Sequence, residues 1–346
     1  MKKKLLIFMS LTLAVATLAA AQQNSSAKKG SQASYYTEGL ALLEKKDYAN
    51  AIAKFTSAIA EKEDFADAYY KRGVAEEKSD GCEEALSDYT KAIAIHPTAD
   101  FYFARGRLYQ EKGSFTEAEA DYTEALMLDS AMTRASYYRG AVKFFSELYY
   151  EAIEEYTHCL TIDSLYYYAY NDRGSANRQL ERYEEALADY TAAIKIDSTL
   201  DFLFSNRGTT YRLMKEYDNA ILDYTEAINL SPQSAMLYNN RGLAKLGKED
   251  YDGALADFFS AKSYDSTYFR VFNNIGNVYC KQKKYPEALA EYDRAIEMNS
   301  SFGQAYLNRG IAREMLRDDE GACADWQRAV ELGVPSAKGY VSAQCK

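Results

Sequence analysis

The 346-residue chain carries 41 basic and 51 acidic residues, a net charge of −10, with only four prolines and two histidines. That balance excludes general attraction to nucleic acid or anionic membrane, and two distant histidines, His96 and His158, give no support for a metal cluster or a histidine-dependent triad. Few prolines beside abundant Ala, Leu, Glu and Lys favour helix.

Residues 1–21 read as a secretory signal. Lys2, Lys3 and Lys4 precede an apolar run from Leu5 to Leu18, and Ala19-Ala20-Ala21 offers small residues for cleavage. The run is short for a membrane span. The expected mature chain begins near Gln22, does not insert in the membrane, and is exported, to a periplasm or fully secreted. No cysteine follows the cleavage site, so no lipid anchor is expected there. Loss of three lysines takes the net charge to −13. Residues 22–31 are small and polar, a disordered lead.

From residue 32 the chain repeats itself. Gly39, Gly73, Gly106, Gly140, Gly174, Gly208, Gly242, Gly276 and Gly310 are separated by 34 residues, except for one interval of 33. A fixed period of this length means stacked copies of one small unit, with function on the surface they share. One copy shows its build. Phe272, Ile275, Gly276 and Tyr279 lie on one face of a first helix. Lys281 to Lys284 break that pattern. Pro286 opens a second helix, whose apolar face is Ala288, Leu289, Tyr292, Ala295 and Ile296. Other copies repeat the Ala, Tyr, Ala spacing: Ala118, Tyr122 and Ala125, then Ala186, Tyr190 and Ala193, then Ala220, Tyr224 and Ala227. An aromatic opens the second helix as Tyr48, Phe115, Tyr149, Tyr183, Tyr217, Tyr251 and Tyr285.

An aromatic, then Gly four residues on, then Ala, Tyr or Phe, and Ala at spacings of twelve, four and three resembles the tetratricopeptide repeat family over about residues 32–336. Nine tandem copies make the likeness specific. It implies an all-α fold, a right-handed superhelical solenoid of nine helix-turn-helix repeats over 32–335, with the first helices lining the concave side. Departures are local: Cys159 stands for an Ala, Cys82 for an aromatic, and Trp326 for the Tyr of the last copy.

Arg precedes the glycine at Arg72, Arg105, Arg139, Arg173, Arg207, Arg241 and Arg309. In the same copies an acid precedes the second-helix aromatic, as Asp88, Asp121, Glu155, Asp189, Asp223, Asp257 and Asp325. The first copy swaps both signs, with Glu38 and Lys54. The swap predicts an ion pair inside each repeat rather than a row of catalytic carboxylates. The glycines fall one per repeat within helices, so no phosphate loop and no cofactor are implied. The expectation is a protein without enzymatic activity.

The resemblance places Tyr36, Tyr70, Phe103, Tyr137, Phe144 and Phe145 on the concave wall of the early copies. Asn171, Arg178, Arg212, Asn239, Asn273, Asn277 and Lys281 follow in the later ones. Two positions before the glycine, Asn206, Asn240, Asn274 and Asn308 form a series resembling the asparagine ladder of superhelical peptide-binding members. A side-chain amide both donates and accepts, so it pairs with any peptide backbone, or else with backbone close by. Arg134, Arg178, Arg212, Arg270 and Lys281 lend the middle wall a basic bias, with Asp172 the one acid placed beside them. They either select an acidic segment or neutralise acids on the adjoining helix. The early aromatics either hold an apolar helix or a glycan, or pack between neighbouring first helices.

Residues 336–346 close the chain as a capping helix over the ninth copy. Cys82 and Cys159 fall at packing positions and Cys280 faces the groove. If the cap runs antiparallel to the helix before it, Cys345 returns to Cys323. The pair is either a disulfide pinning the cap or two apolar thiols. The expected function is an exported scaffold that captures an extended peptide or protein segment in its groove. The alternatives are an envelope assembly component working through its convex face or ends, and a glycan-binding module. The sequence is compatible with a homo-oligomer.

Overall fold

The computed structural model describes residues 32–345; the signal and lead segments lie outside the described residues. All regular structure among these residues is helical, in nineteen helices. Two compact units divide the chain, one ending at Ser164 and one beginning at Leu165. In the first unit, four hairpins follow one another: α1 (32–44) and α2 (Tyr48–Glu61), α3 (Ala66–Glu77) and α4 (Cys82–Ile95), α5 (Ala99–Glu111) and α6 (Phe115–Leu128), α7 (Thr133–Phe145) and α8 (Tyr149–Ile162). In the second, five hairpins run α9 (Tyr167–Gln179) and α10 (Tyr183–Ile196), α11 (Asp201–Leu213) and α12 (Tyr217–Leu230), α13 (Ala235–Gly247) and α14 (Tyr251–Tyr264), α15 (Phe269–Lys281) and α16 (Tyr285–Met298), α17 (Gly303–Met315) and α18 (Asp319–Glu331). A short α19 (Ala337–Gln344) closes it. No described helix is long and apolar enough to cross a membrane.

The recurrent glycine has a direct cause. A Cβ on Gly39, Gly106, Gly242 or Gly276 would sit 2.6–2.9 Å from a ring carbon of Phe55, Tyr122, Phe258 or Tyr292. The second-helix ring lies flat on the first helix, and only glycine leaves it room. Those rings are fully buried, and so are the alanines that flank them. Each buries on the order of 150–250 Å², worth roughly 4–6 kcal/mol of transfer free energy.

Each hairpin turns in the same way. One residue between the two helices takes a left-handed backbone: Gly113 in the third repeat, and Lys46, Asp80, Glu147, Glu181, Lys215, Glu249, Lys283 and Arg317 in the others, with φ of 59–66°. The next amide then donates to a carbonyl five residues back, as Gly81 to Glu76 at 2.8 Å and Asp318 to Arg313 at 3.0 Å. This closes the first helix and reverses the chain.

The ion pairs form within repeats. Arg72 grips Asp88 by two bonds of 2.6 and 2.8 Å, and Arg207 grips Asp223 at 2.8 and 2.7 Å. Arg105, Arg173, Arg241 and Arg309 hold Asp121, Asp189, Asp257 and Asp325 in the same fork, while Arg139 meets Glu155 by one bond of 2.8 Å. The swapped pair, Lys54 with Glu38, closes at 2.5 Å.

A third partner also appears. The free guanidinium nitrogen reaches back to a threonine on the preceding repeat: Arg72 to Thr56, Arg105 to Thr90, Arg139 to Thr123, Arg207 to Thr191 and Arg241 to Thr225, at 3.0–3.2 Å. One arginine therefore ties three helices together. The eighth repeat lacks the device as a set. Ile275 replaces the arginine, Phe259 replaces the threonine, and Lys262 from the seventh repeat lies 4.0 Å from the acid Glu291.

Candidate functional site

In the first unit the six aromatic residues divide by environment. Tyr36 packs on Phe55 and Phe65, with ring centroids 5.8 and 4.9 Å apart, and Tyr70 on Tyr89 and Phe101 at 5.7 and 4.7 Å. Phe103 is buried against Tyr122 and Tyr138. Tyr137 lies against Tyr138 and Tyr156, and Phe144 against Tyr149. Phe145 alone among them is largely displayed, at 62 % exposure, its ring parallel to Phe115. Phe115, Tyr138, Phe145, Arg107, Gln110 and Glu111 line a cleft of about 350 Å³. Arg107, which the family pattern does not mark, is bonded to Glu111 at 2.5 Å and Glu77 at 3.4 Å. Arg134 pairs with Asp100 and lies 4.5 Å over the Phe103 ring. The wall therefore holds more acid than Asp172.

In the second unit the asparagines bond to one another between neighbouring first helices. Asn206 donates to Asn171 at 2.9 Å, Asn274 to Asn239 at 2.8 Å, and Asn308 to both Asn273 and Asn277 at 2.9 Å. Each of the first three bonds runs back 35 residues, so the ladder belongs to the repeat. Asn171, Asn239, Asn273 and Asn274 are buried by it. Its rung is missing between α11 and α13, where Ser205 occupies the place of Asn171 and Asn239, and Asn240 accepts instead from its neighbour Asn239 at 3.4 Å. The sequence pattern locates these residues but not their mutual bonds, because a 35-residue offset pairs two different slots of adjacent copies.

Beyond the ladder, Asn273, Asn274, Asn277, Lys281, Gln304 and Asn308 line a cleft of about 570 Å³, together with Leu246, Cys280, Tyr292 and Ile311. The Tyr292 hydroxyl donates to Asn277 at 2.8 Å and lies 3.4 Å from Cys280 Sγ. Burial pushes the Cys280 thiol up from its ordinary value, and that of fully buried Cys159 up to about 12, so neither is a thiolate near neutral pH. Arg178 reaches the Asn206 carbonyl at 3.4 Å and lies over the Tyr190 ring. Arg212 has a buried Nε with no hydrogen-bond partner. Arg270 lies over Phe269 and Phe302. Among the described residues Arg178, Arg212, Arg270 and Lys281 make no ion pair.

Ser136 Oγ lies 3.0 Å from His158 Nδ1, the geometry from which a nucleophile and base are built. Ser136 is fully buried, and its hydroxyl donates to the Glu155 carbonyl at 3.0 Å, so the pair fills the place that an aromatic takes in other repeats. No group of His, Cys, Asp and Glu among the described residues could hold a metal ion.

Models of the tetratricopeptide repeat match residues 36–100, 99–132 and 167–200, and a TPR repeat model matches 208–248 and 276–316, together more than half of the chain. A tetratricopeptide repeat protein from Parabacteroides merdae superposes with a TM-score of 0.62 at 17% identity, covering 72% of this chain and 99% of its own. A chain of the APC/C hetero-tetramer Cut9–Hcn1 superposes with a TM-score of 0.57 at 13% identity, covering 90% of this chain and 76% of its own. Comparison with curated proteins gave no significant match. With the glycine-and-ring contact, the hairpin turn and the family models in agreement, the chain belongs to the tetratricopeptide repeat family.

Proposed function

We propose that the chain is an exported scaffold whose second unit holds an extended, acidic protein segment along its first helices. The family is one of protein-interaction scaffolds. The observation that carries the finer reading is charge without compensation. Arg178, Arg212, Arg270 and Lys281 have no carboxylate partner, whereas Arg134 and Arg107 of the first unit do. Cations kept on a chain of net charge −10 without acids beside them favour an acid supplied from outside. The amide-lined cleft supports the same reading. Asn277, Gln304 and Asn308 border it with groups that both donate and accept, suited to a segment's backbone.

Titration of the purified chain with acidic and neutral peptides tests this. Acidic peptides should bind more tightly, with affinity falling as salt rises. Arg178→Ala with Arg212→Ala should weaken the acidic peptide about tenfold or more and flatten the salt dependence. Unchanged affinity and unchanged salt slope would sink the reading. Export is tested separately: the mass of the protein from its native host should correspond to a chain beginning near Gln22.

A further inference from the structure

We propose that α19 is a redox-held plug on a face built to receive α1 of a second copy of this chain. Within each unit the next repeat covers a second helix. Ala51 and Phe55 of α2 meet Ala75 of α3, and Ala58 meets Ala68. Ala220 and Tyr224 of α12 meet Ala244 of α13, and Ala227 meets Leu237. Ala288 and Tyr292 of α16 meet Ala312 of α17, and Ala295 meets Ala305. One rule fits all three: a second helix takes two small or apolar residues, seven apart, from the first helix of the next repeat.

The face of α18 carries the same set in Ala322, Trp326 and Ala329. It is α19 that lies there, with Ala337, Tyr340 and Val341 against the cluster and Tyr340 5.0 Å from Trp326. At eight residues, α19 is shorter than the first helices of twelve or thirteen residues that it stands in for. A helix of that length has little stability of its own. The bond between Cys323 and Cys345 ties its far end to α18. Such a crosslink acts by denying the loose state its freedom, so cutting it shifts α19 toward release.

The helix that fits an opened α18 face is α1. In every other repeat the two docking positions are buried, for example Ala68 and Ala75, or Ala305 and Ala312. In α1 they are Ser34 and Ala41, seven residues apart, small, and exposed among the described residues. The leading face of α1 thus has the spacing and size that α18 accepts, with no preceding second helix described to cover it. A head-to-tail contact of this kind adds copies one after another, into a ring where its rotation closes and in line where it does not. The chemistry balances: a dithiol reductant gives two electrons and two protons, becomes a disulfide, and leaves Cys323 and Cys345 as thiols.

Sedimentation of the full chain, with emission from its single tryptophan, tests the proposal. Oxidised, the chain should sediment as one copy with the emission of a buried indole. With a dithiol present, or in Cys323→Ala with Cys345→Ala, Trp326 emission in dilute solution should shift to the red, and with rising concentration the mass should climb toward twice that of one copy and beyond while the emission returns toward that of a buried indole. Adding Ala41→Arg to the cysteine variant should restore the single-copy mass while leaving the red shift. Emission unmoved by reduction in dilute solution, where the chain is a single copy, would overturn the plug. A red shift without any rise in mass, or association that survives Ala41→Arg, would overturn the docking face. A chain ended at residue 335 lacks α19 outright, so it should show the same red shift and the same rise in mass without any reductant.

Discussion

The two units solve one packing problem in two chemistries. Three residues before the glycine, the first unit places Tyr36, Tyr70, Phe103 and Tyr137, and the second places Asn171, Ser205, Asn239 and Asn273, with Leu307 in its last repeat. The backbone slot is the same. In the first three repeats the ring rests on its own repeat's buried ring and on an aromatic of the next repeat, as Tyr70 does on Tyr89 and Phe101. In the second the amide accepts from the next first helix, as Asn239 does from Asn274. Rings bury area and tolerate small shifts, because the hydrophobic effect has no direction. Amides fix a register, because a buried donor without its acceptor is costly. The choice also decides what the exposed surface offers: the first unit shows a ring edge at Phe145, the second a cleft bordered by amides.

Loss of contact should therefore hurt most in the ring-built unit. Phe103→Ala removes a buried ring that touches Tyr122, Tyr138 and the Arg134 guanidinium, and should cost about 4 kcal/mol in denaturant unfolding. A cost below that of Asn239→Ala in the ladder would collapse the distinction between the two units. Asp223→Ala comes second, at about 3 kcal/mol, since it strands Arg207. Adding Arg207→Leu should recover part of that loss. The Arg105 and Asp121 pair of the first unit should show equal coupling, because the clasp is common to both units. Strictly additive costs at both sites would mean that the pairs contribute no mutual stability.

What the sequence made legible follows the same line. The glycine and the sign-swapped Glu38 and Lys54 each report a contact within one repeat, and the structure has those contacts. Contacts between repeats were harder to read. Thr56, Thr90, Thr123, Thr191 and Thr225 follow the buried ring in every case, yet their partner is an arginine of the next copy. A residue that varies in step with its own repeat gives no hint of which neighbour it serves. The eighth repeat held the clue, because Ile275 and Phe259 depart together across a repeat boundary. Of the site, the slots were legible and the fate of each side chain was not. Phe103 and Phe145 are both groove aromatics by pattern, yet one is 8 % and the other 62 % exposed. Burial there depends on Arg134 and Tyr138 of the next first helix, which no spacing rule anticipates.

The amide ladder gives two finer tests. Asn239→Ala leaves the buried Asn274 amide without its acceptor and should cost about 2 kcal/mol. Ser205→Asn runs the other way. It restores the missing rung by offering Asn240 the acceptor that Asn206 and Asn274 already have, and should add about 1 kcal/mol to the stability of the second unit. Destabilisation by Ser205→Asn would show that the gap is a packing requirement rather than an absent bond.

The smallest effect separates the units by pH. Three residues after the glycine, Asn177, Lys245 and Arg313 of the second unit each donate to the buried aspartate of their repeat. In the first unit the same slot of α3 holds an acid, Glu76. Its Oε2 is buried without a partner, Asp88 and Glu84 face it from α4, and Arg72 of its own helix is 3.8 Å away but already committed to Asp88. Burial first, and then the Asp88 charge, push the Glu76 carboxyl up to about 7 from its ordinary 4.5. A raised folded-state value means that the folded chain holds the proton more tightly than the unfolded chain. The contribution to stability is complete below pH 4.5, falls between about 4.5 and 7, and stays lost above that. Partial solvent access trims its size. Glu76→Gln keeps the shape, supplies the donor that Asp88 lacks from this slot, and removes the titration. Unfolding midpoints measured from pH 4 to 8 should therefore fall less in Glu76→Gln than in the parent, and parallel profiles for the two chains would place the proton elsewhere.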